Sequence, residues 1–531
     1  MNKKLIALLL FAAPLIMNAQ AAFDVLNMSQ TELRGTSRFM AMGGAYTAVG
    51  GDISSMNQNP GGIGIYRNSD ISATISLDFN SSKADGMNKL SNTRFNFNNV
   101  GYVGALKLDG DILKNFNWGF SYNRINDFHR HYTGGWNGLN SSITNYVAGL
   151  TNAGGWTESD LHAAGSYDPY WNSNAPWISI LGFDSYWINP NQSFPGSFQG
   201  LMGSGTTGYA EYEIDERGHA DEYGVTLAGN CANVVYWGLG FGFFDLDYDG
   251  YMYYGESLNN AYVPNNVNAE HIVNGGANYG LVNYLDTKGT GYNFKLGVIV
   301  KPVNEFRLGF AFHTPTYYDM RDLYSTISDY EYLPDHEAAF SDGAHCGDTW
   351  NEYHYRISTP WRFMGGIAGV IGKSAIISAD YEYTGYNTMR MKYDNGDEDI
   401  STTNDINDYL RAAHKISVGA EYKVSPSFAL RAGYSYQTSP VNKEYEDGVA
   451  NVNTVSTNPS YQFNRTTQYI TAGFGYKYKS FYLDMAYVHQ NRKSTFNSFP
   501  TVTYSDGTDY NNMADIDTNK DRVSLTLGFR F

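Results

Sequence analysis

What this chain lacks narrows its class before any motif is read. No stretch after residue 21 approaches the roughly 18 to 20 consecutive apolar residues that a membrane helix needs. Basic residues are scarce: 36 Lys and Arg stand against 53 Asp and Glu, a net charge of −17. Nucleic-acid partners need a basic footprint, so that class is excluded. Eleven histidines are scattered with no Ser, His and acid constellation, so the chain is read as a non-enzyme without a cofactor. Cysteine is almost absent, with only Cys231 and Cys346. His345 and Cys346 give one imidazole and one thiol, short of a tetrahedral metal site.

What is present points to export and to strands. Lys3 and Lys4, the apolar run Leu5 to Met17, and Ala19-Gln20-Ala21 read as a cleavable signal over residues 1–21. Its removal takes away two basic residues, leaving 34 against 53, or −19. The chain carries 45 Tyr, 29 Phe, 9 Trp and 56 Gly. Aromatics suit strands and membrane-interface girdles, and glycine suits turns and crowded lumen positions. Mean hydropathy is only −0.41, but a barrel strand hides its apolar residues behind polar alternates.

The last ten residues show that alternation. Val523, Leu525, Leu527, Phe529 and Phe531 share one face, and Arg522, Ser524, Thr526, Gly528 and Arg530 the other. A terminal strand ending in Phe also resembles the signal by which outer-membrane barrels are recognised for assembly. The same period of two recurs from Ile71 to Phe79, Tyr292 to Val300, Phe306 to Phe312, Ile377 to Tyr383, Ile416 to Tyr422 and Phe428 to Tyr436. Fourteen strands are expected, near 70–80, 93–108, 116–128, 217–230, 233–250, 288–301, 304–318, 354–372, 374–392, 412–424, 427–439, 465–478, 480–492 and 520–531. Links after even strands are short; links after odd strands run to about 12 residues or more, the longest over 129–216. The reading is a 14-stranded antiparallel transmembrane β-barrel spanning 70–531, closed so that no edge meets lipid. Cys231 and Cys346 then fall on opposite sides of the membrane and are not expected to be bridged.

Fourteen strands enclose more space than wall side chains fill, and residues 22–69 are the expected plug. Arg34 to Tyr46 is rich in glycine and small residues, and the chain is nearly free of charge between Arg38 and Asp52. Met42-Gly43-Gly44-Ala45, Asp52 and Asn59-Pro60-Gly61-Gly62 follow in order. Downstream stand Gly289-Thr290-Gly291-Tyr292, Lys301-Pro302, His313-Thr314-Pro315, Arg431 to Tyr436, and Ser439-Pro440. Together these resemble the FadL-like family of outer-membrane transporters for long-chain fatty acids and other hydrophobic molecules, with Gly61 standing where alanine is usual. The resemblance implies a lumen hatch and passive transport. Capture would occur at the outer mouth, and release by hatch rearrangement or sideways between strands. It marks Gly43, Gly44, Asn59, Pro60 and Gly61 as hatch motif and Phe39, Met40, Met42 and Tyr46 as ligand-contact candidates. The implied partners are a hydrophobic small molecule, outer-membrane lipid and lipopolysaccharide. A subunit or scaffold role in a larger outer-membrane complex is the alternative, with other outer-membrane proteins as partners.

Two further patterns are noted. Asp245-x-Asp247-x-Asp249-Gly250-x5-Glu256 matches a calcium-loop spacing. It follows a strand rather than a helix, so solvated rim charge is the competing reading. Asp380 and Glu382 share lumen parity, where polar lining is expected.

Overall fold

The computed structural model describes residues 21–531 apart from 85–86, 109, 267–270, 373, 504–508 and 511; the expected signal over 1–20 lies outside the described residues. Fourteen antiparallel strands form one closed barrel. They are β1 Asp70–Ala84, β2 Leu90–Lys107, β3 Leu113–Asp127 with its continuation Arg130–Asn137, β4 Thr207–Cys231, β5 Val235–Pro264 and β6 Ile272–Val303. Three interrupted strands follow: β7 (Phe306–His313 and Tyr317–Pro334), β8 (Asn351–Ser358 and Arg362–Ile371) and β9 (Ala375–Gly385 and Arg390–Tyr393). β10 Ala412–Lys423, β11 Phe428–Gln437, β12 Tyr461–Tyr478, β13 Phe481–Asn497 and β14 Met513–Arg530 complete the wall. The last strand pairs with the first, Asp78 opposite Arg522, which closes the sheet.

Alternation sets the faces. Along β1, Ile71, Ile75, Leu77 and Phe79 are exposed to the lipid side, while Ser72, Thr74, Ser76 and Asp78 are buried inward. The tight connections lie after even strands, as at residues 232–234, where Ala232 and Asn233 have φ values of 53° and 59° and the Val234 N–H donates to the Cys231 carbonyl at 3.0 Å. Cys231 beside that turn and Cys346 at the opposite end are both free.

The outer connections differ from expectation. The long segment is 138–206 rather than 129–216, because Arg130–Asn137 pairs with Tyr209–Glu216. Links after β1 and β5 are also shorter than expected, because β1 and β2 run to 15 and 18 residues and β5 and β6 to 30 and 32. A span needs only about 9 to 11. The wall therefore continues outward well beyond the membrane.

The 138–206 segment folds as a cap: α4 Ile143–Gly154, short turns α5 Glu158–Leu161 and α6 Pro169–Asn172, α7 Trp177–Asp184, and a hairpin of Ile188–Pro190 with Phe198–Gly200. Trp177, Trp187, Ile180 and Leu181 are buried with Tyr212, Tyr254, Tyr279 and Tyr332 of the extended wall. Glu256 anchors it. This buried carboxylate accepts from the Ile143 N–H at 2.9 Å, Ser142 Oγ at 2.6 Å, Tyr254 OH at 2.6 Å, and Tyr279 OH. It sits on the α4 N-terminus, where the helix dipole favours negative charge.

That placement overturns the calcium pattern. The ladders through Asp245, Asp247 and Asp249 are continuous with no bulge, and Asp245 faces outward beside exposed Phe243. Glu256 faces inward, so the four carboxylates do not converge; among the described residues no group of three or more metal-ligating side chains does. Glu256→Ala should free the cap at a cost of about 1.5–3 kcal/mol for the lost charged hydrogen bonds. Limited proteolysis should then cut within 138–206 while the barrel stays protected.

Candidate functional site

The site begins with the hatch. Residues 22–69 form α1 Ala22–Ser29, α2 Ser37–Ala41, α3 Ser55–Gln58 and a 3-10 turn Pro60–Ile65, nearly all buried in the lumen. Small wall residues make notches for it. A Cβ on Gly238 of β5 would lie 2.3 Å from the Pro60 carbonyl carbon, and one on Gly433 of β11 2.3 Å from the Gly43 nitrogen. Gly43 itself has φ +62° against the Tyr434 backbone, which explains the glycine there. Asn59 caps the 3-10 turn through the Gly61 N–H at 3.0 Å and donates to the Thr47 carbonyl at 2.6 Å.

Polar contacts then fix the hatch on several sides. Ser37 Oγ meets Ser524 Oγ at 2.9 Å on β14. The Thr47 N–H donates to Asp380 at 2.7 Å on β9, so Asp380 is a hatch anchor as well as lining. Arg307 of β7 donates to the Val49 carbonyl at 2.6 Å. Deepest is an ion network. Arg34 donates to Glu32 at 2.8 Å, Asp78 at 3.0 Å and Asp127 at 3.1 Å. Arg522 bridges Asp78 at 3.0 Å and Glu32 at 3.3 Å, and Lys520 reaches Glu32 at 2.9 Å. Burial alone would raise the Glu32 pKa, but Lys520, Arg34, Arg492 and Arg522 together hold its carboxyl well below the usual carboxylate range.

Beyond the hatch lies a small lumen cavity of about 100 Å³. Its floor includes Phe39, Gly44, Ser54 and Gln58, and its walls Phe244, Lys295, His313, Tyr318, Arg362, Glu382 and Lys415. Of the four ligand candidates, Phe39 reaches this space. Met40, Met42 and Tyr46 do not: they pack with Ala368, Tyr469, Ala486 and Val488 as hatch core. Two wall cations are matched, Lys295 with Glu222, and Arg362 with Glu382 at 2.6 Å. Lys415 has no ion pair within 4.0 Å among the described residues, its Nζ lying 5.9 Å over the Tyr469 ring. His313 Nε2 donates to the Gln58 carbonyl at 2.9 Å.

One side of the cavity borders a break in the wall. β7 is interrupted at Thr314-Pro315-Thr316 and β8 at Thr359-Pro360-Trp361, next to each other in the sheet. Proline cannot donate to the ladder. The Thr316 N–H turns instead to Thr359 Oγ1 at 2.8 Å. β9 leaves the ladder over Tyr386–Thr388 at the same level. Inside, Phe244 and Tyr318 flank Gly291, each directly opposite it, with ring centroids 6.0 Å apart. A Cβ on Gly291 would lie 2.8 Å from the Tyr318 ring. Outside, a groove of about 1140 Å³ faces the membrane, and Phe244 and Tyr318 line both spaces. These two rings are the partition between lumen and lipid.

Sequence reasoning missed Phe244, Tyr318, Lys415 and the break itself. The signal was present as prolines inside two runs read as continuous strand.

Residues 223–518 match the family described as outer membrane protein transport protein (OMPP1/FadL/TodX). No curated protein sequence matches the chain. The crystal structure of a Pseudomonas aeruginosa FadL homologue superposes with a TM-score of 0.54 at 12% identity, covering 94% of this chain and 99% of that one. Toluene transporters TodX of P. putida (TM-score 0.47, 11% identity, 94% and 99% covered) and TbuX of Ralstonia pickettii (0.45, 12%, 95% and 100%) are more distant.

Arg34→Ala should leave Asp78, Asp127 and Glu32 short of a partner, at about 3–5 kcal/mol. The hatch should become protease-accessible while the barrel persists. Because the Glu32 carboxyl sits below its ordinary value of 4.5, its stabilising contribution is complete above that pH and is lost only as pH falls through the lower folded value. Hatch protection in the wild type should therefore not fall between pH 7 and 5.

Proposed function

The chain belongs to the outer membrane protein transport family (OMPP1/FadL/TodX), the match spanning more than half its length, and from that premise we propose passive, non-enzymatic transport of hydrophobic or amphiphilic small molecules, with release sideways into the membrane. The observation that carries this reading is the two-ring partition: Phe244 and Tyr318 separate a lumen cavity from a lipid-facing groove at a break in the ladder. Burying an alkyl chain gains about 0.8 kcal/mol per methylene, so capture needs no energy input.

The lining favours an amphiphile with an anionic head, of the fatty-acid kind, over a plain hydrocarbon. Lys415, held in no direct ion pair though within the field of Glu382, offers an ammonium to a carboxylate, while Phe39, Phe244 and Tyr318 offer apolar surface to a tail. With the head at Lys415 the tail points toward the break. The enclosed space of about 100 Å³ is below the roughly 300 Å³ of a typical ligand pocket, so this is a closed state and loading requires the cap or the ring pair to move.

Two cysteine pairs test the route. Thr316→Cys with Thr359→Cys ties β7 to β8 across the break; Ser37→Cys with Ser524→Cys ties the hatch to β14. In proteoliposomes supplied with a fluorescent long-chain fatty acid, oxidation of the first pair should stop uptake and reduction restore it. Oxidation of the second should leave uptake within about twofold, on the order of 0.4 kcal/mol. The opposite pattern would show passage through the hatch, and no uptake of any hydrophobic probe by the unmodified protein would remove the transport reading. Lys415→Ala should weaken retention of a fatty acid by about tenfold, the value of one charge-assisted hydrogen bond, and leave retention of toluene unchanged.

A further inference from the structure

The outer groove carries a feature that transport does not use. Its lower wall is aromatic, with Phe243, Tyr292, Tyr317 and Trp361 projecting outward, 37% to 51% exposed. Its upper rim is cationic. Where β8 and β9 resume above the interruption, Arg356 stands directly opposite Lys392, and Ser358 opposite Arg390. Three cations thus occupy neighbouring outward positions on two paired strands, all lining the groove. Like charges directly opposed in a sheet are destabilising unless something relieves them. Neighbouring carboxylates do so in part: Arg356 lies 3.4 Å from Asp319 and 3.9 Å from Asp394, and Arg390 2.9 Å from Glu398. Lys392 has no ion pair among the described residues. Asp319 and, on the β5 side, Asp245 also line the groove, and beyond it Asp247 and Asp249 continue the outward acidic alternation.

We propose that this groove is a binding site for a phosphate-bearing lipid of the outer leaflet, seated with its acyl chain against Trp361 and Tyr317 and its phosphate among Arg356, Arg390 and Lys392. Each half of the site selects against other occupants. An apolar concavity of about 1140 Å³ on the lipid-facing wall is filled by acyl chains, since water there would wet aromatic surface. A neutral lipid would leave Lys392 without a counter-charge and Arg356 and Arg390 only partly relieved, and a free phosphate would leave the aromatic wall uncovered. Guanidinium forks match phosphate oxygens in pairs, and an adjacent ammonium adds a point charge.

The test uses the full chain in phosphatidylcholine nanodiscs containing a small fraction of bis-phosphorylated lipid A, with bound lipid read by native mass spectrometry. The wild type should retain the lipid. R356Q/R390Q/K392Q should retain roughly tenfold less or lower, as expected for removing three near-surface cations. R217Q/K288Q, which removes two cations opposite Asp249 and Asp247 and outside the groove, should retain as the wild type does. Equal retention by the triple variant, or an equal loss in the control, overturns the proposal. Should the triple variant not fold, the wild type alone decides: retention of dephosphorylated lipid A equal to that of the bis-phosphorylated form overturns the phosphate site. Displacement by millimolar inorganic phosphate would overturn the acyl-chain half. Because lipid retention is read without any transported substrate, its failure leaves the uptake experiment to stand or fall separately.

Discussion

The rest of the structure depends on the buried ion network where the barrel closes on itself. Asp78 of β1 faces Arg522 of β14 across the closing seam, and the hatch supplies Glu32 and Arg34 to the same cluster. Four cations, Arg34, Arg492, Lys520 and Arg522, meet three carboxylates, Glu32, Asp78 and Asp127, nearly all shielded from solvent. Each such ion costs several kcal/mol to remove from water, repaid only if every partner is present. Removing the hatch would leave Asp78 and Arg522 only each other and take the carboxylate from Lys520 and the guanidinium from Asp127; removing the wall would leave Glu32 and Arg34 only each other. Closure of the cylinder and seating of the plug are therefore energetically coupled, through the five ion pairs of this network that cross from hatch to wall.

That coupling explains why so much of the lumen is polar in a protein for hydrophobic cargo. A lumen-facing residue on an outer-membrane strand must be polar enough to keep the alternation that distinguishes inside from outside. Once a hatch fills the tube, those polar residues become buried and need partners. The hatch carries few charges of its own, so its backbone answers many of them: the Ala41, Ala45 and Val49 carbonyls accept from Thr471, Ser378 and Arg307. A glycine-rich segment suits this work because its backbone reaches the wall unobstructed.

Strand identity and facing were legible wherever one face meets lipid, because lipid enforces period two. Legibility ended where lipid ends. On the outer parts of β4 to β6, Tyr212, Tyr254 and Tyr279 point inward to the cap while Tyr209, Tyr251 and Tyr284 point outward, so aromatics no longer mark one face. The break was legible in a different way. Outward residues are even-numbered up to Phe312 and odd-numbered from Tyr317, and the same reversal separates Trp361 from Arg356 and Tyr383 from Arg390. A parity change beside Pro315 and Pro360 is the mark of an interrupted strand. Which hatch residues meet the cavity was not legible, since small and apolar residues there pack on every side. Phe39 is set apart from Met40, Met42 and Tyr46 only by which wall each happens to face.

The same magnitudes decide between the two ways out. Passage through the hatch must break the ion network, at several kcal/mol for each ion left unpaired, together with the contacts of Ser37, Thr47 and Val49 to three separate strands. Passage through the break must displace two aromatic rings, worth about 1.5–3 kcal/mol each in burial, and two hydrogen bonds between Thr316 and Thr359. Much of that ring burial is regained as the tail of the cargo takes the place of the rings, whereas nothing in an alkyl chain replaces a guanidinium. On the proposed route a head held at Lys415 would send the tail out first, so that apolar matter crosses the partition before the carboxylate loses its cation. On that route the carboxylate would follow its own tail toward the membrane surface, where Tyr292, Tyr317 and Trp361 line the groove and amphipathic rings suit the boundary between lipid and water.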